Sequence, residues 1–239
     1  MRISFKIFFS VCCFLTFTIG EAGGAENKSA NKIYLIPTLH QLHQTSRHYS
    51  FEKLKNILNL IEPSIILVEL TEKDLASKKQ QETKIEYNRI VIPFAEQHKV
   101  MMIAMEPNEP LYSELVESYM SNAKQIAKVK KEQVRAFNLF AELYVAPLLN
   151  DDFRTVSDLA SEKFDALTKL KHDFQNQIYG EKEQAGWDKW NQIFADKIIK
   201  TDKESQGKVI AVLVGLEHHY WLKAYLQNKQ SLSLEKLNF

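Results

Sequence analysis

Short apolar runs alternate with amphipathic stretches over the first hundred residues, and this alternation predicts strands and helices in turn. Residues 33–36 form a short apolar run that ends at Pro37. Residues 64–70 form a run rich in β-branched side chains that only Glu69 interrupts, which is typical of a strand covered on both faces. Two later runs of the same kind complete a prediction of four strands, at 100–105 and 209–214.

The segments between these runs carry helical periodicity. Ser50 is a suitable N-cap for a helix that Pro63 ends, and a less regular helix around Pro93 is predicted to end near His98. The lysine-rich residues 71–81 predict a surface loop. Further amphipathic stretches predict helices over 112–149, 156–178, 187–199 and 219–226.

The predicted order of elements is β-α-β-α-β, then an all-helical block, then β-α. Strands that alternate with helices pair in parallel through right-handed crossovers. We therefore predict an α/β fold with a small, mostly parallel sheet, flanking helices and a large all-helical insertion before the last strand. The insertion, residues 112–200, is too long for a simple crossover and is predicted to cap one edge of the sheet. Residues 26–239 are predicted to form a single domain.

The first 25 residues have the organisation of a signal peptide. Arg2 and Lys6 precede an apolar stretch over 7–19, and small residues follow as far as Ala25. Because a membrane span needs about 20 apolar residues, no stable span is predicted in the mature chain. The protein is therefore predicted to be exported, to a periplasm or to the exterior.

Both cysteines lie inside this apolar stretch. A lipid anchor on Cys12 is disfavoured because Val11 stands where lipoprotein processing favours a small residue. After cleavage the mature chain holds no cysteine, which excludes thiolate chemistry and cysteine-bound metal. Any metal site in the mature chain must use histidine, carboxylate and water.

Composition excludes one class of partner. The chain has 239 residues, 45% of them hydrophobic and 26% charged, and its formal net charge is +1. The short basic segment 128–131 is typical of a solvated helix face and is followed by Glu132. Without a sustained basic face, no nucleic-acid partner is predicted.

Groups that can bind a metal or move protons follow every predicted strand. In chain order they are His40 and His43, then Glu69, then Glu106, then Glu217, His218 and His219. Parallel sheets bring the carboxyl ends of their strands to one edge, where ligands bind, so these residues are expected to meet. Each also has a plain structural explanation: a histidine after a strand can hold a loop, and Glu217 can stabilise a helix N-terminus. A purely structural explanation fits Glu69 less well, because a carboxylate in an apolar run must be paired, protonated or bound to a cation.

Two kinds of chemistry fit this set, and the sequence leaves both open. Two histidines and a glutamate can hold a divalent ion that acidifies a bound water. Alternatively, histidine acts as general base on water and a glutamate of raised pKa acts as the acid, without a metal. The spacing of His40 and His43 differs from the helical His-Glu-x-x-His of zinc proteases, so no such site is predicted.

The same residues resemble the clan that contains erythromycin esterase-like proteins, ChaN haem-binding lipoproteins and TraB/TIKI proteins. Gly215-Leu-Glu-His218 matches the clan's C-terminal Gly-x-x-His in full, and residues 62–69 match its middle strand ending in glutamate. At the clan's first Gly-x-x-His, residues 37–40 read Pro-Thr-Leu-His. The segment that starts at Trp190-Asn191 is similar to the clan's Arg-Asp/Asn-x-x-Met-Ala, with tryptophan in place of arginine.

The resemblance is closest to the TraB/TIKI branch and implies an exported hydrolase acting on peptide or ester bonds, with a divalent metal of unspecified identity. The residues it implies are, as catalytic groups, His40, Glu69, His218 and Glu106; as metal ligands, His40, Glu69 and His218; and as substrate-binding groups, Asn191, His43 and His219. The expected partner is a peptide or small-molecule substrate.

Two alternatives accompany this prediction. A ChaN-like protein would bind haem or iron without catalysis, with histidines and three tyrosines of the helical block as candidate axial ligands: Tyr112, Tyr119 and Tyr144. An inactive interaction domain is the other alternative, in which Pro37 and Trp190 mark a site that has lost its function.

Overall fold

The computed structural model describes residues 30–229 and 232–239. The predicted signal peptide, residues 1–25, lies outside the described residues. Within them, no helix combines the length and the apolar character needed to cross a membrane.

A four-stranded sheet lies at the centre of the fold, and all its strands are parallel, in the order β1-β4-β2-β3. The strands are β1 (Lys32–Thr38), β2 (Ile65–Val68), β3 (Met101–Ala104) and β4 (Val209–Gly215). The α/β prediction is confirmed, and so are the four strands. The first strand continues through Pro37, where it was predicted to end, because β1 is an edge strand and tolerates a residue without an N–H.

Nine α-helices surround this sheet in the described residues. They are α1 (Phe51–Ile61), α2 (Glu72–Ser77), α3 (Ile92–His98), α4 (Leu111–Val129), α5 (Lys131–Leu149), α6 (Val156–Leu159), α7 (Glu162–Tyr179), α8 (Glu181–Glu204) and α9 (Leu216–Gln227). A 3₁₀ turn (His40–Gln44) follows β1, and a π-helical turn (Tyr87–Val91) precedes α3. The Ser50 side chain caps α1 as predicted, accepting the Lys53 N–H at 3.3 Å.

Side chains of the strands alternate between two hydrophobic layers. One layer joins the sheet, through residues such as Ile36 and Leu213, to α1 and α3. The other joins it, through residues such as Leu35 and Val212, to α8 and α9. The continuous apolar runs are explained by this covering of both faces.

The C-terminal segment covers the outer edge of β1. The Ile33 N–H donates to the Ser233 carbonyl at 3.1 Å, and the Glu235 N–H donates to the Ile33 carbonyl at 2.8 Å. An unpaired strand edge is a template for aggregation, and this segment shields part of it.

Two predicted boundaries in the helical regions are wrong. Residues 71–81 were expected to be a loop but contain α2, because the Thr71 hydroxyl accepts the Asp74 N–H at 3.0 Å and caps a short helix. The stretch 112–149 was expected to be one helix but is interrupted at Lys130. The Lys130 ammonium donates to the Ile178 carbonyl at 2.7 Å, so a tertiary contact accompanies the break.

Two further predicted boundaries, which concern α6, α7 and α8, are also wrong. The predicted helix 156–178 is divided at Ser161, whose side chain starts α7 by accepting the Phe164 N–H at 3.3 Å. The predicted helix 187–199 starts earlier, at Glu181, and α8 runs through Gly186, whereas Gly180, at φ 83°, separates α7 from α8. Isolated glycines in amphipathic helices are tolerated where packing supports the helix.

Helices α4, α5, α7 and α8 form the predicted cap, and each contacts at least two of the others. Residues of α4, α7 and α8 enclose a cavity together with residues that follow β2, β3 and β4. The large helical insertion before the last strand is thus confirmed, and it lies over the carboxyl ends of the strands.

Candidate functional site

A cavity of about 360 Å³ lies between the strand ends and the cap. Glu69, Glu106 and His218 line its floor. A second cavity of about 360 Å³ adjoins it and is lined by His40. The two cavities share three wall residues, Trp187, Glu217 and His218. The sheet therefore brings together all four predicted catalytic residues, as the parallel arrangement requires.

Glu69 lies at the centre of this group and is 4% exposed. One carboxylate oxygen, Oε2, accepts the Gly215 N–H at 2.7 Å, and the other lies 3.0 Å from the Lys84 ammonium. Burial alone would raise the pKa of Glu69, but Lys84, then His218 and His40, outweigh it and hold the pKa well below its usual range. Glu69 is therefore a fixed negative charge.

His218 is held in one tautomer by its neighbours. The Asn191 amide nitrogen donates to the Trp187 carbonyl at 2.9 Å, so its oxygen must face the His218 Nδ1, 2.9 Å away. Nδ1 therefore carries the proton, and Nε2 offers a lone pair, 3.9 Å from the Glu69 Oε1. Burial is the main cause that lowers the pKa of His218 to about 4, which leaves the imidazole neutral near pH 7.

His40 faces the same glutamate from the other side. Its Nδ1 donates to the Glu86 Oε1 at 2.8 Å, and its Nε2 lies 4.0 Å from the Glu69 Oε1. The backbone of His40 has φ 51°. This conformation is uncommon for residues other than glycine, and it occurs at functional sites. Burial alone would lower the pKa of His40, but the Glu86 hydrogen bond and the charge of Glu69 outweigh it and raise the pKa.

Gly215 makes room for this arrangement. A Cβ atom at position 215 would lie 2.6 Å from the His40 Nε2 and 3.2 Å from the Glu69 Oε2. A glycine is needed there because no side chain fits between the two groups.

The third carboxylate, Glu106, shares the Lys84 ammonium with Glu69. Burial and the charge of Glu69 raise the pKa of Glu106 to about 6, although Lys84 opposes them. The pKa of Lys84 is raised, because the attraction of the two carboxylates exceeds the effect of burial. Lys84 thus places a permanent positive charge beside two carboxylates, one of which can take up a proton near neutral pH.

Two predicted substrate-binding histidines lie elsewhere. His43 is buried, its Nε2 accepts the Leu39 N–H at 3.0 Å, and its Nδ1 donates to the Tyr49 carbonyl at 2.6 Å. His219 lies 2.7 Å from the Asp165 Oδ1 on α7. The structure does not support substrate contacts by these two residues, because both ring nitrogens of His43 bind backbone and His219 ties α9 to the cap. Asn191 is brought to the site, through His218.

Three important residues were missed by the sequence analysis: Lys84, Glu86 and Trp187. Lys84 and Glu86 precede the π-helical turn in a polar stretch that carries no motif. Trp187 is the first residue of the predicted helix 187–199, and helical spacing gives no sign of a role in the site. The one usable signal was Glu69 itself, since a buried carboxylate requires a positive partner.

The cap contributes an aromatic stack. The Trp187 ring lies between His218, with centroids 4.3 Å apart, and His172 of α7, at 4.2 Å. Beyond it, the Glu217 Oε2 lies 2.5 Å from the Lys171 ammonium and 3.0 Å from the His172 Nε2. Burial would raise the pKa of Glu217, but His172 and Lys171 outweigh it and lower the pKa to about 2. A charged layer of the cap therefore adjoins the site.

Two features of the present arrangement oppose a divalent ion at this site. Metal ligands must be deprotonated, yet the Lys84 ammonium pairs with the Glu69 oxygen and the raised pKa of His40 favours its imidazolium. Within residues 30–229 and 232–239, no three or more His, Cys, Asp or Glu side chains are grouped to hold a metal. The predicted ligand set of His40, Glu69 and His218 stays a prediction.

The tyrosines predicted as haem ligands lie along the cap. Tyr112 and Tyr119 line the first cavity, whereas Tyr144 lines the second and shares a 3.1 Å hydrogen bond with the Thr168 hydroxyl. Haem binding stays a prediction.

Comparison with family models, curated proteins and solved structures found no match for this chain. The geometry of the site is therefore the main guide to its function.

Proposed function

We propose that this protein is a hydrolase of peptide or ester bonds. The observation that carries the proposal is the pair of oriented imidazoles, His40 and His218. Each is held through Nδ1, by Glu86 and by Asn191, and each turns Nε2 towards the same oxygen of Glu69, at 4.0 and 3.9 Å. A neutral imidazole and a positively charged one that face the same point beside a cavity fit a hydrolytic site, because the first can activate water and the second can stabilise developing negative charge.

In this proposal the neutral His218 accepts a proton from water through Nε2, and the water oxygen attacks the substrate carbonyl. The charges of His40 and Lys84 stabilise the negative charge that develops on the carbonyl oxygen. Glu106, with its raised pKa, donates a proton to the leaving alcohol or amine as the bond to it breaks. Glu69 holds the two imidazoles and Lys84 in place.

The resemblance to the TraB/TIKI branch supports the same class of reaction, and the signal-peptide pattern of residues 1–25 supports an exported protein. The chemistry described here uses the side chains alone. Haem binding and an inactive domain receive no specific support, since no contact of the described residues favours either.

Turnover of p-nitrophenyl butyrate and of a fluorogenic peptide amide tests the proposal. His218→Asn is expected to lower kcat by about 100-fold or more, the usual contribution of a general base. His48→Ala is the matched control, because His48 is exposed and lies outside both cavities. Equal turnover by wild type and His218→Asn would contradict the proposal.

Elemental analysis of the purified protein tests the metal prediction separately. Near-stoichiometric metal in the wild type and none in the His40→Ala, His218→Ala double variant would establish the predicted ligand set. Metal-free samples with intact turnover would support catalysis by the side chains.

A further inference from the structure

The cap side of the first cavity carries buried polar atoms that the proposed reaction does not use. Within the described residues, the Gln175 Oε1, the Glu183 Oε2 and the Trp190 Nε1 have no hydrogen-bond partner. All three side chains line the cavity. Gln175 is 7% exposed and Glu183 is 6% exposed. Buried polar groups are almost always satisfied, so such a cluster at a cavity wall points to a missing occupant.

The hydrogen bond between Gln175 and Glu183 determines which of their polar atoms remain free to bind an occupant. The Gln175 Nε2 donates to the Glu183 Oε1 at 2.6 Å. Because a carboxylate only accepts, the amide must present its nitrogen to Glu183 and keep its oxygen for another donor. Two acceptor oxygens therefore remain for the occupant. Burial raises the pKa of Glu183, although Gln175, Asn122 and Lys171 oppose it, and a cation beside the carboxyl would hold it ionised.

Aromatic side chains line the same cavity as these acceptors. Trp190 lines the same cavity, and Tyr112 packs edge-on against it with centroids 5.6 Å apart. Trp187 also lines the cavity, but His218 and His172 cover both of its faces. Tyr119 also lines the cavity and is 50% exposed. Aromatic faces beside a carboxylate favour a cation over a neutral group, because the cation gains cation–π attraction as well as hydrogen bonds.

The lysines that line the cavity do not satisfy this carboxylate. Lys84 pairs with Glu69 and Glu106, and Lys171 pairs with Glu217 at 2.5 Å. Lys182 lies at an exposed position, where water screens its charge. The Glu183 carboxylate thus faces the cavity without an ion pair among the described residues.

We infer that Gln175 and Glu183 form a subsite for a primary ammonium group of the substrate. Three N–H donors of an ammonium match two acceptor oxygens and leave one donor for water, which a neutral hydroxyl cannot do. The assignment of the bound ammonium to a substrate rests on the proposed hydrolase function. The subsite shares one cavity with Glu69, Glu106 and His218. The substrate class is therefore an ester or peptide that carries an amine near the scissile bond.

Calorimetric titration with benzylammonium chloride, and with benzyl alcohol as a neutral analogue, tests the subsite directly. The full-length protein is expected to bind benzylammonium at least about tenfold more tightly than benzyl alcohol at fixed ionic strength. Glu183→Gln is expected to remove most of this preference, because it removes the charge and retains the size. Glu181→Gln, an exposed position on the same helix, is the matched control and should retain the preference.

Equal binding of the two probes, or a preference unchanged in Glu183→Gln, would overturn the inference. Because this measurement needs no turnover, it stands apart from the test of the hydrolase. A protein that binds benzylammonium through Glu183 but hydrolyses nothing would retain the subsite and contradict only the proposed reaction. A fold check by circular dichroism on Glu183→Gln shows whether a lost preference reflects the site.

Discussion

At the scale of single residues, the tautomer of His218 depends on one amide. Asn191 can accept from Nδ1 only because its nitrogen is fixed on the Trp187 carbonyl. Residues that orient a catalytic imidazole are worth about 10–100-fold in activity at comparable sites. Asn191 should therefore matter to the pH profile as well as to the rate.

Asn191→Asp is expected to raise the pKa of His218 from about 4, because a carboxylate beside Nδ1 stabilises the imidazolium. A base of higher pKa is protonated at higher pH, so the acidic limb of the kcat/KM profile should move upward in pH. Gln192→Glu is the matched control: it adds the same charge one residue along, where the side chain contacts Asp196 and Tyr225. An unmoved limb in Asn191→Asp would contradict the role given to His218.

Removal of the Lys84 side chain is expected to lower the free energy of unfolding. Lys84→Met leaves Glu69 and Glu106 buried without their cation, and breaking such a buried set costs about 3–5 kcal/mol of the free energy of unfolding. Urea denaturation measures this loss. Adding Glu106→Gln to Lys84→Met should recover part of it, because one uncompensated charge is removed. If Lys84→Met were as stable as the wild type, the ion-pair arrangement would be wrong.

At the scale of elements, the junction between β4 and α9 depends on Gly215. Gly215→Ala would place a Cβ 2.6 Å from the His40 Nε2, and overpacking of this kind costs about 1–3 kcal/mol. Both the free energy of unfolding and turnover are expected to fall, since His40 must move. Urea denaturation and the esterase assay measure the two effects.

Gly186→Ala is the matched control for that substitution. Gly186 lies inside α8, and a Cβ there would contact nothing within 4 Å. Alanine in a helix interior is favoured over glycine by about 0.5–1 kcal/mol, so stability should rise. A fall in stability in both variants would mean that the effect at position 215 is not specific to His40.

The elements themselves show what the sequence can predict. Apolar runs located the strands, and Ser50 located the start of α1, because burial on both faces and capping are local properties of the chain. The breaks at Lys130 and Ser161 escaped prediction. At Lys130 the side-chain ammonium donates a hydrogen bond to the carbonyl of Ile178, 48 residues away. The spacing of apolar residues along the chain does not reveal such a contact.

At the scale of the whole molecule, the parallel topology explains which parts of the site could be predicted. His40, Glu69, Glu106 and His218 follow strands, so a correct sheet brings them together. Lys84 lies in the polar segment between α2 and the π-helical turn and follows no strand, so the sheet topology does not predict where its side chain lies. His43 follows a strand as His40 does, yet the 3₁₀ turn directs it to backbone partners.

The stability of the whole chain should depend on pH through its buried histidines. Burial lowers the pKa of His43 and of His218 to about 4 in the folded state, against 6.5 when exposed. Between those values the unfolded chain binds more protons, so the free energy of unfolding falls as pH falls, by about 1.4 kcal/mol per pH unit for each histidine. Glu106, whose pKa rises to about 6 on folding, opposes about one histidine between pH 4.5 and 6, and His40, whose pKa is also raised, opposes the loss as well. His172, whose pKa burial lowers, adds to the loss.

Urea denaturation between pH 4 and 7 should therefore show a net loss of stability towards acid. His43→Asn is expected to reduce the slope by about 1.4 kcal/mol per pH unit, because residue 43 no longer takes up a proton on unfolding. The exposed His48→Ala variant should keep the wild-type slope. A slope that His43→Asn leaves intact would show that His43 is not held neutral by the fold, and its assignment as a loop-holding residue would fail with it.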